Sequence, residues 1–304
     1  MNIKLSLFFF FNLIFVYSQN NLVVVKSLKI NTKTDYFGAS YFNNNQVVFT
    51  GNSLTSNGKI KTHKKAPVFD LYISDINTDG ELNNVQPLEV YKSLSSFNIA
   101  SSAFSPDGKY IYITTNFKPK GKQANGSPKP MKLRIDRGEY KPGKGWVNFK
   151  TLPFCNTSFS YGQPAISPDG KTLYFVSSMR GSQGSTDIYK VSILGDNSYG
   201  KPEQLGNTVN SRAKEVFPFI SEDNYLYYSA KKKDGMGRLD IYRSKILNDG
   251  TYGESELLPA PINTVYDDYG LIVNSETKNG YFSSNRRGGK GGEDIYSFTF
   301  IDSF

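Results

Sequence analysis

The chain has 304 residues, with 36 Lys and Arg against 27 Asp and Glu, a formal net charge of +9, and only one histidine and one cysteine. One cysteine excludes an internal disulfide, and the pair of counts excludes the four-ligand zinc sites of small metal-folded modules. An apolar content of 38%, with 14% aromatic residues, is enough for a packed core and excludes a disordered chain.

Residues 1–18 read as a secretory signal: Lys4 in a short charged start, an apolar stretch from Leu5 to Val16, and Ser18 as the small residue at the cut site. That stretch falls short of the roughly 20 residues a spanning helix needs, so no transmembrane segment is expected in the mature chain. No cysteine follows it, which argues against a lipid anchor. An exported chain without disulfides suits the periplasm or the cell surface. Residues 19–304 then form one domain. Its first element is a strand from Leu22 to Leu28.

A short signature recurs along the rest of the chain: Phe69-Asp70-Leu71-Tyr72, Thr186-Asp187-Ile188-Tyr189, Leu239-Asp240-Ile241-Tyr242 and Glu293-Asp294-Ile295-Tyr296. Asp187, Asp240 and Asp294 stand 53 and 54 residues apart. The longer gap after Asp70 holds a degenerate copy, read as Met131-Lys132-Leu133-Arg134 with Lys132 in the Asp position. A second signature keeps the same phase: Ser105-Pro106-Asp107-Gly108-Lys109, Ser167-Pro168-Asp169-Gly170-Lys171 and the weaker Ser221-Glu222-Asp223-Asn224. Five units result, and a period somewhat longer than the roughly 40–50 residues of common propeller repeats still points to propeller blades.

The third unit gives the order of elements. A strand from Pro164 to Ser167 leads to a Pro-Asp-Gly turn, then come Leu173–Ser178, a Gly/Ser loop, Asp187–Ile193, and an outer strand near Glu203–Leu205. The second strand of most units is apolar on both faces, as in Ile111-Tyr112-Ile113 and Leu173-Tyr174-Phe175, which implies burial on both sides. Radially packed blades supply that burial. The fifth unit ends after its third strand, Asp294–Phe300. The segment Leu22–Leu28 is therefore expected to complete the last blade. The fold expected is an all-β, single propeller of five four-stranded blades, closed by the N-terminal strand pairing with the C-terminal blade.

The Ser-Pro-Asp-Gly-Lys turns with the Asp-Ile-Tyr strands resemble the TolB-like, WD-type propeller repeat of Gram-negative envelope proteins, over essentially the whole mature chain. In that group such repeats often stand beside an OmpA-like peptidoglycan-binding domain, including in a component associated with type IX secretion. No OmpA-like domain is expected here, since the chain stops at Phe304. TolB itself usually has six repeats and an extra N-terminal domain, and this sequence has neither. The resemblance implies a non-enzymatic interaction module of the cell envelope, whose partner is an envelope protein, one with an OmpA-like domain included. A structural reading of the repeated carboxylates fits: Asp107 and Asp169 bond their own turns, while Asp70, Asp187, Asp240 and Asp294 accept backbone N–H groups from the adjacent loop.

Motifs for chemistry are sparse. His63 sits in a cationic loop, and Cys155 reads as a small buried apolar residue. The run Arg287-Gly288-Gly289-Lys290-Gly291-Gly292 joins strand to strand and is a hairpin loop rather than a phosphate loop. No catalytic residue, cofactor or metal is expected on the main reading. Charge points instead to one face. The loops between second and third strands carry Lys59, Lys61, Lys64 and Lys65, then Lys118, Lys120, Lys122 and Lys129, Arg180, Lys231, Lys232, Lys233 and Arg238, and Arg286, Arg287 and Lys290. Aromatic residues leading into first strands accompany them: Tyr36, Phe97, Phe159, Tyr161, Tyr266 and Tyr269. This basic face is expected to bind an acidic envelope protein, an anionic glycan or lipopolysaccharide, and no nucleic acid. The alternative is a carbohydrate-active propeller, a glycan binder or glycoside hydrolase, since some five-bladed propellers hydrolyse glycosides with Asp and Glu at the channel mouth. Its candidates are Asp35, Glu215, Asp267 and Asp268, on neighbouring units of a closed ring.

Overall fold

A computed structural model describes residues 23–63, 65–90, 98–117, 132–195 and 197–301. The signal expected over residues 1–18 lies outside the described residues, as do Lys64, Phe97, Lys118, Lys120, Lys122 and Lys129. Every regular element among the described residues is a β-strand, and no helix there is long and apolar enough to cross a membrane.

The strands form five antiparallel blades. Blade I is built from Tyr36–Asn43, Gln46–Asn52, Phe69–Ile76 and Leu82–Pro87, and blade II from Ile99–Phe104, Tyr110–Asn116, Leu133–Lys141 and Gly145–Thr151. Blade III has Tyr161–Ile166, Thr172–Ser177, Asp187–Gly195 and Glu203–Gln204, with Ser198–Tyr199 pairing with the last residues of its third strand. Blade IV has Glu215–Ile220, Tyr225–Ala230, Asp240–Lys245 and Glu256–Leu257; blade V has Asp268–Asn274, Asn279–Ser284 and Asp294–Phe300. Val23–Ser27 supplies the fourth strand of blade V, antiparallel, with Val23 opposite Phe300 and Ser27 opposite Tyr296. The five innermost strands touch in turn around a closed ring.

Burial explains why the second strands have no polar alternation. From their second residue on they are buried throughout, as in Val47–Asn52, Ile111–Asn116 and Gly280–Ser284, because a neighbouring blade covers each face. Aromatic stacks run from second to third strands at Phe49–Tyr72, Phe175–Tyr189, Tyr228–Tyr242 and Phe282–Tyr296, with centroids 6.1, 5.9, 5.9 and 5.8 Å apart. The degenerate copy needs a correction. Thr115 faces Arg134 in blade II as Ser284 faces Asp294 in blade V, so the copy is Arg134-Ile135-Asp136, two residues later than the sequence suggested. The missing carboxylate comes from Asp136, fully buried, which accepts Thr115 Oγ1 at 2.6 Å, Thr151 Oγ1 at 2.7 Å and Arg134 Nε at 3.0 Å.

One device recurs in every blade and shapes the channel. The third residue of each innermost strand is left-handed: Gly38, Ser101, Gln163, Phe217 and Gly270, with φ of 64, 44, 51, 51 and 65°. The pairing with the second strand slips there, as a bulge requires. Each bulge N–H leaves its own sheet and bonds the preceding blade: Gly38 to Ser283 Oγ, Ser101 to Thr50 Oγ1, Gln163 to Thr114 Oγ1 and Gly270 to Ser229 Oγ. In blade III the matching second-strand residue is Val176. The Phe217 N–H bonds Gln163 Oε1 instead, at 2.9 Å.

Candidate functional site

The loop between the second and third strands of each blade lies on the same side as the chain leading into the next blade. Thr186 bridges Lys214, Leu239 bridges Asp267, and Tyr36 N donates to Glu293 O at 2.9 Å. At the last of these seams, between blades V and I, acidic groups gather. The Asp35 Oδ1 accepts the backbone N–H of Gly292 and of Glu293, both at 3.2 Å. Glu293 is thus clamped by its N–H and its carbonyl to blade I, which fixes where its side chain points. From the neighbouring seam between blades IV and V, the Asp267 Oδ2 accepts Asn285 Nδ2 at 3.0 Å, lies 3.9 Å from Arg238 Nε, and its charge acts on Glu293.

Glu293 is half-buried, and its Oε2 is buried with no hydrogen-bond partner among the described residues. Burial pushes its carboxyl up to about 7; Asp267, Asp35 and Asp294 act in the same direction, while the Tyr269 hydroxyl opposes them. The Tyr269 phenol is held well above its ordinary range, first by burial and then by the Glu293 charge. A carboxyl that is partly protonated near neutral pH, set beside two further carboxylates, can give and retrieve a proton. Among the described residues no group of three or more His, Cys, Asp or Glu is disposed to hold a metal ion.

Aromatic rings cross the mouth beside this cluster. Tyr269 lies 4.8 Å from Phe217 and 6.5 Å from Phe37, and Phe37 lies 5.3 Å from Phe69. Below them the central channel holds a cavity of about 110 Å³, lined by the five innermost strands from Gly38, Ser101, Gln163, Phe217 and Gly270 downward.

Of the four acidic candidates, Asp35 and Asp267 belong to this cluster. Glu215 and Asp268 do not: each opens an innermost strand and is fully buried. Glu215 Oε1 accepts Ser211 Oγ at 2.5 Å. Asp268 is consumed by Thr264 N and Oγ1, at 2.7 and 2.6 Å, and by Arg286 Nη2 at 2.6 Å.

Two residues of the expected basic face are drawn into the fold. Arg286 turns inward, donating to Pro261 O and Ile262 O as well as Asp268, with its guanidinium 4.9 Å from the Phe282 and Tyr296 rings. Lys232 bonds Tyr228 Oη at 2.7 Å and caps Tyr242 at 4.7 Å, and burial lowers its amine from the usual lysine range. Lys290 Nζ donates to Lys29 O at 3.2 Å. Lys59, Lys61, Lys65, Arg180, Lys231, Lys233, Arg238, Arg287 and Lys290 are exposed. Tyr161 is fully buried, holds Asn156 Nδ2 through its hydroxyl at 2.9 Å and presents no surface to a partner.

The repeated carboxylates sit in loop-tying positions. Asp187 accepts Gln183 N and Gly184 N at 2.8 and 3.0 Å, Asp240 accepts Gly237 N at 3.0 Å, and Asp294 accepts Lys290 N at 2.5 Å and Gly291 N at 3.2 Å. Asp70 takes Ser53 Oγ at 2.6 Å. Asp107 and Asp169 accept Lys109 N and Lys171 N within their turns, and the serine hydroxyls beside them hold both carboxyls below the usual range. Cys155 packs in the core between blades II and III, where burial pushes its thiol up to about 12.

Glu293 escaped the sequence reading. Its column, the residue before the strand-three carboxylate, otherwise holds Phe69, Thr186 and Leu239. A lone acid in that column was the available signal.

No protein-family profile matches the chain, and no curated protein matches it in sequence. Solved structures do. An α-L-arabinofuranosidase from Lactobacillus brevis is 14% identical, with a TM-score of 0.52, over 90% of this chain and 91% of that one. The β-1,2-mannobiose phosphorylase of Listeria innocua, solved with β-1,2-mannobiose, is 11% identical with a TM-score of 0.50, over 93% and 95%. A puromycin-hydrolysing peptidase of Mycobacterium tuberculosis is 13% identical with a TM-score of 0.47, over 83% of this chain, which spans 35% of that protein. At these identities the likeness establishes the propeller fold. It also corrects two expectations. Two of these propellers, matched along nearly their whole length, are carbohydrate-active enzymes rather than TolB-like envelope proteins. That finding goes against the expected non-enzymatic envelope module and against the expectation that the chain is not an enzyme.

Proposed function

We propose that this propeller is a carbohydrate-active enzyme that cleaves glycosidic bonds at the mouth between blades V and I. The observation that carries the reading is the Glu293 carboxyl: fixed by blade I, raised to about 7 and carrying a buried oxygen without a protein partner. In this role Glu293 protonates the glycosidic oxygen as the carbon–oxygen bond breaks. Asp35 or Asp267 then supplies the second carboxylate, facing the positive charge that develops on the sugar or taking a proton from the attacking water. Water contributes hydroxyl to the sugar and a proton that restores the acid, so the net reaction is hydrolysis. Tyr269, beside Glu293, holds the acid in place.

The shared fold of a mannobiose phosphorylase and an arabinofuranosidase supports the reading by analogy only. The Ser-Pro-Asp-Gly turns support a TolB-like origin of the blades, and residues 1–18 support export to the periplasm or cell surface. The test is reducing-sugar release from a panel of neutral glycans by wild type and Glu293→Gln. We expect release by the wild type and a fall of about 10²–10⁴-fold in the variant. No release from any glycan, or release that Glu293→Gln leaves intact, overturns it.

A further inference from the structure

Blades II, III and IV set a third-strand cation opposite one fourth-strand residue, and blade II breaks the pattern of that pair. In blade IV Arg243 lies opposite Glu256, and its Nε donates to Glu256 Oε2 at 2.8 Å. In blade III Lys190 lies opposite Glu203. Blade II keeps the cation and lacks the acid: Arg137 lies opposite Lys150. The three positions are equivalent, because Arg243, Lys190 and Arg137 face Tyr227, Tyr174 and Tyr112 of the second strands.

Arg137 is 6% exposed. Its Nε, the atom that Arg243 gives to Glu256, is buried with no hydrogen-bond partner among the described residues. Its guanidinium lies 4.3 Å from the Tyr110 ring, which also has Lys109 Nζ at 5.1 Å. From blade III the Tyr199 hydroxyl donates to Tyr112 Oη at 3.2 Å; burial raises both phenols and the Arg137 charge opposes it. The two acids that act on Lys109 have other partners: Glu139 accepts Asn148 Nδ2 at 3.3 Å, and Asp107 accepts Lys109 N within its turn. Water satisfies a lone N–H but does not relieve the repulsion of two cations set directly opposite each other. The approach is from solvent. Glu256 reaches Arg243 with its own side chain 58% exposed, and Lys150, in the matching place, is exposed.

We propose that the outer flank of blade II binds a small carboxylate in the place of the absent glutamate, with Arg137 Nε as the donor and Lys150 as the second cation. The chemistry is that of the Arg243–Glu256 pair with the acid supplied by a ligand. A carboxylate oxygen takes the guanidinium N–H as a charge-assisted bond, and the exposed ammonium of Lys150 draws the anion in. This flank faces blade III, away from the mouth between blades V and I, so the inference is independent of the glycan reading.

The test is the melting temperature of wild type, Lys150→Glu and Arg137→Lys in sodium acetate, sodium phosphate and sodium chloride, at one ionic strength and neutral pH. Each increment over chloride is compared with that of Lys150→Glu, which cancels general stabilisation by excluded salts. Lys150→Glu restores the glutamate of blades III and IV, and should melt higher than wild type in chloride. The acetate increment should be about 2 °C or more larger in wild type than in that variant. Arg137→Lys keeps a cation, as Lys190 does in blade III, but removes Nε, and should lose most of the wild-type excess. An acetate increment equal in wild type and Lys150→Glu, or kept in full by Arg137→Lys, overturns the inference. So does a larger wild-type excess in phosphate than in acetate, or a lower melting temperature of Lys150→Glu in chloride.

Discussion

Glu215 and Glu293 stand at two seams of the same ring and share an electrostatic condition. Each has an Oε2 buried without a protein partner, and each carboxyl is raised chiefly by burial. Their access differs. Glu215 opens the innermost strand of blade IV at 0% exposure, tied to Ser211, with the Lys232 charge opposing the effect of burial on its carboxyl. Glu293 lies one position before its strand, half-buried at the mouth, clamped through its backbone with the Tyr269 hydroxyl beside its carboxyl. A perturbed carboxyl alone does not separate a structural acid from a chemical one. Access to a ligand does, and one residue of displacement along the chain decides it.

The largest effect should come from removing Val23–Ser27, because that strand pairs with Tyr296–Phe300 of the third strand of blade V, just beyond Glu293. The deletion should abolish the cooperative unfolding transition or cause aggregation, since it unlatches the last blade and exposes the edge of its third strand. In any folded remainder, hydrogen exchange should rise first at Ile295 and Tyr296 while Ile241 and Tyr242 of blade IV stay protected. An unchanged melting temperature contradicts closure by this strand.

Replacing Lys232 breaks the other seam more gently. Lys232→Met keeps the packing on Tyr228 and Tyr242 but removes the cation over both rings and the bond to Tyr228 Oη. Denaturant unfolding should show a loss of about 1–2 kcal/mol, with glycan cleavage unaffected. A stability equal to wild type would mean that the amine is solvated rather than built in.

The smallest effect is a pH dependence of stability at Glu293. Its folded-state carboxyl is raised to about 7, above the usual glutamate value, so the folded state binds the proton more tightly than the unfolded chain. That contribution is complete below the unfolded value and is lost as pH rises through about 7. Glu293→Gln should therefore gain on wild type between pH 6 and 8 and show no such gain near pH 4. Parallel stability curves across that range contradict the raised carboxyl.

Much of the ring was legible because its determinants are local and repeated. The Asp-Gly turns, the unalternated second strands and the absent fourth strand of unit five each leave a mark in sequence, and blade closure followed from the last. The degenerate copy was misplaced by two residues because Arg134 and Asp136 exchange a buried charge across positions, which a column of side chains does not display. The inward turn of two basic residues was hidden for a related reason. Arg286 and Lys232 are as basic in sequence as Lys231, but their stems lie over aromatic pairs and their heads are spent inside the fold. Asp35 and Asp267 were found by their place before the first strands. Glu293 was not, because its partner across the seam is Asp35, 258 residues away in the chain.

The pH dependence of glycan cleavage by wild type, Glu215→Gln and Glu293→Gln tests the central claim most directly. A proton donor must be protonated to act, so wild-type kcat should fall as pH rises through about 7, the value to which burial lifts the Glu293 carboxyl. Glu215→Gln should keep that profile, because its carboxyl is sealed from the mouth, and Glu293→Gln should lose both the activity and the alkaline limb. A wild-type profile flat from pH 6 to 8.5, or an alkaline limb that survives Glu293→Gln and vanishes in Glu215→Gln, contradicts the assignment of the acid to the seam between blades V and I.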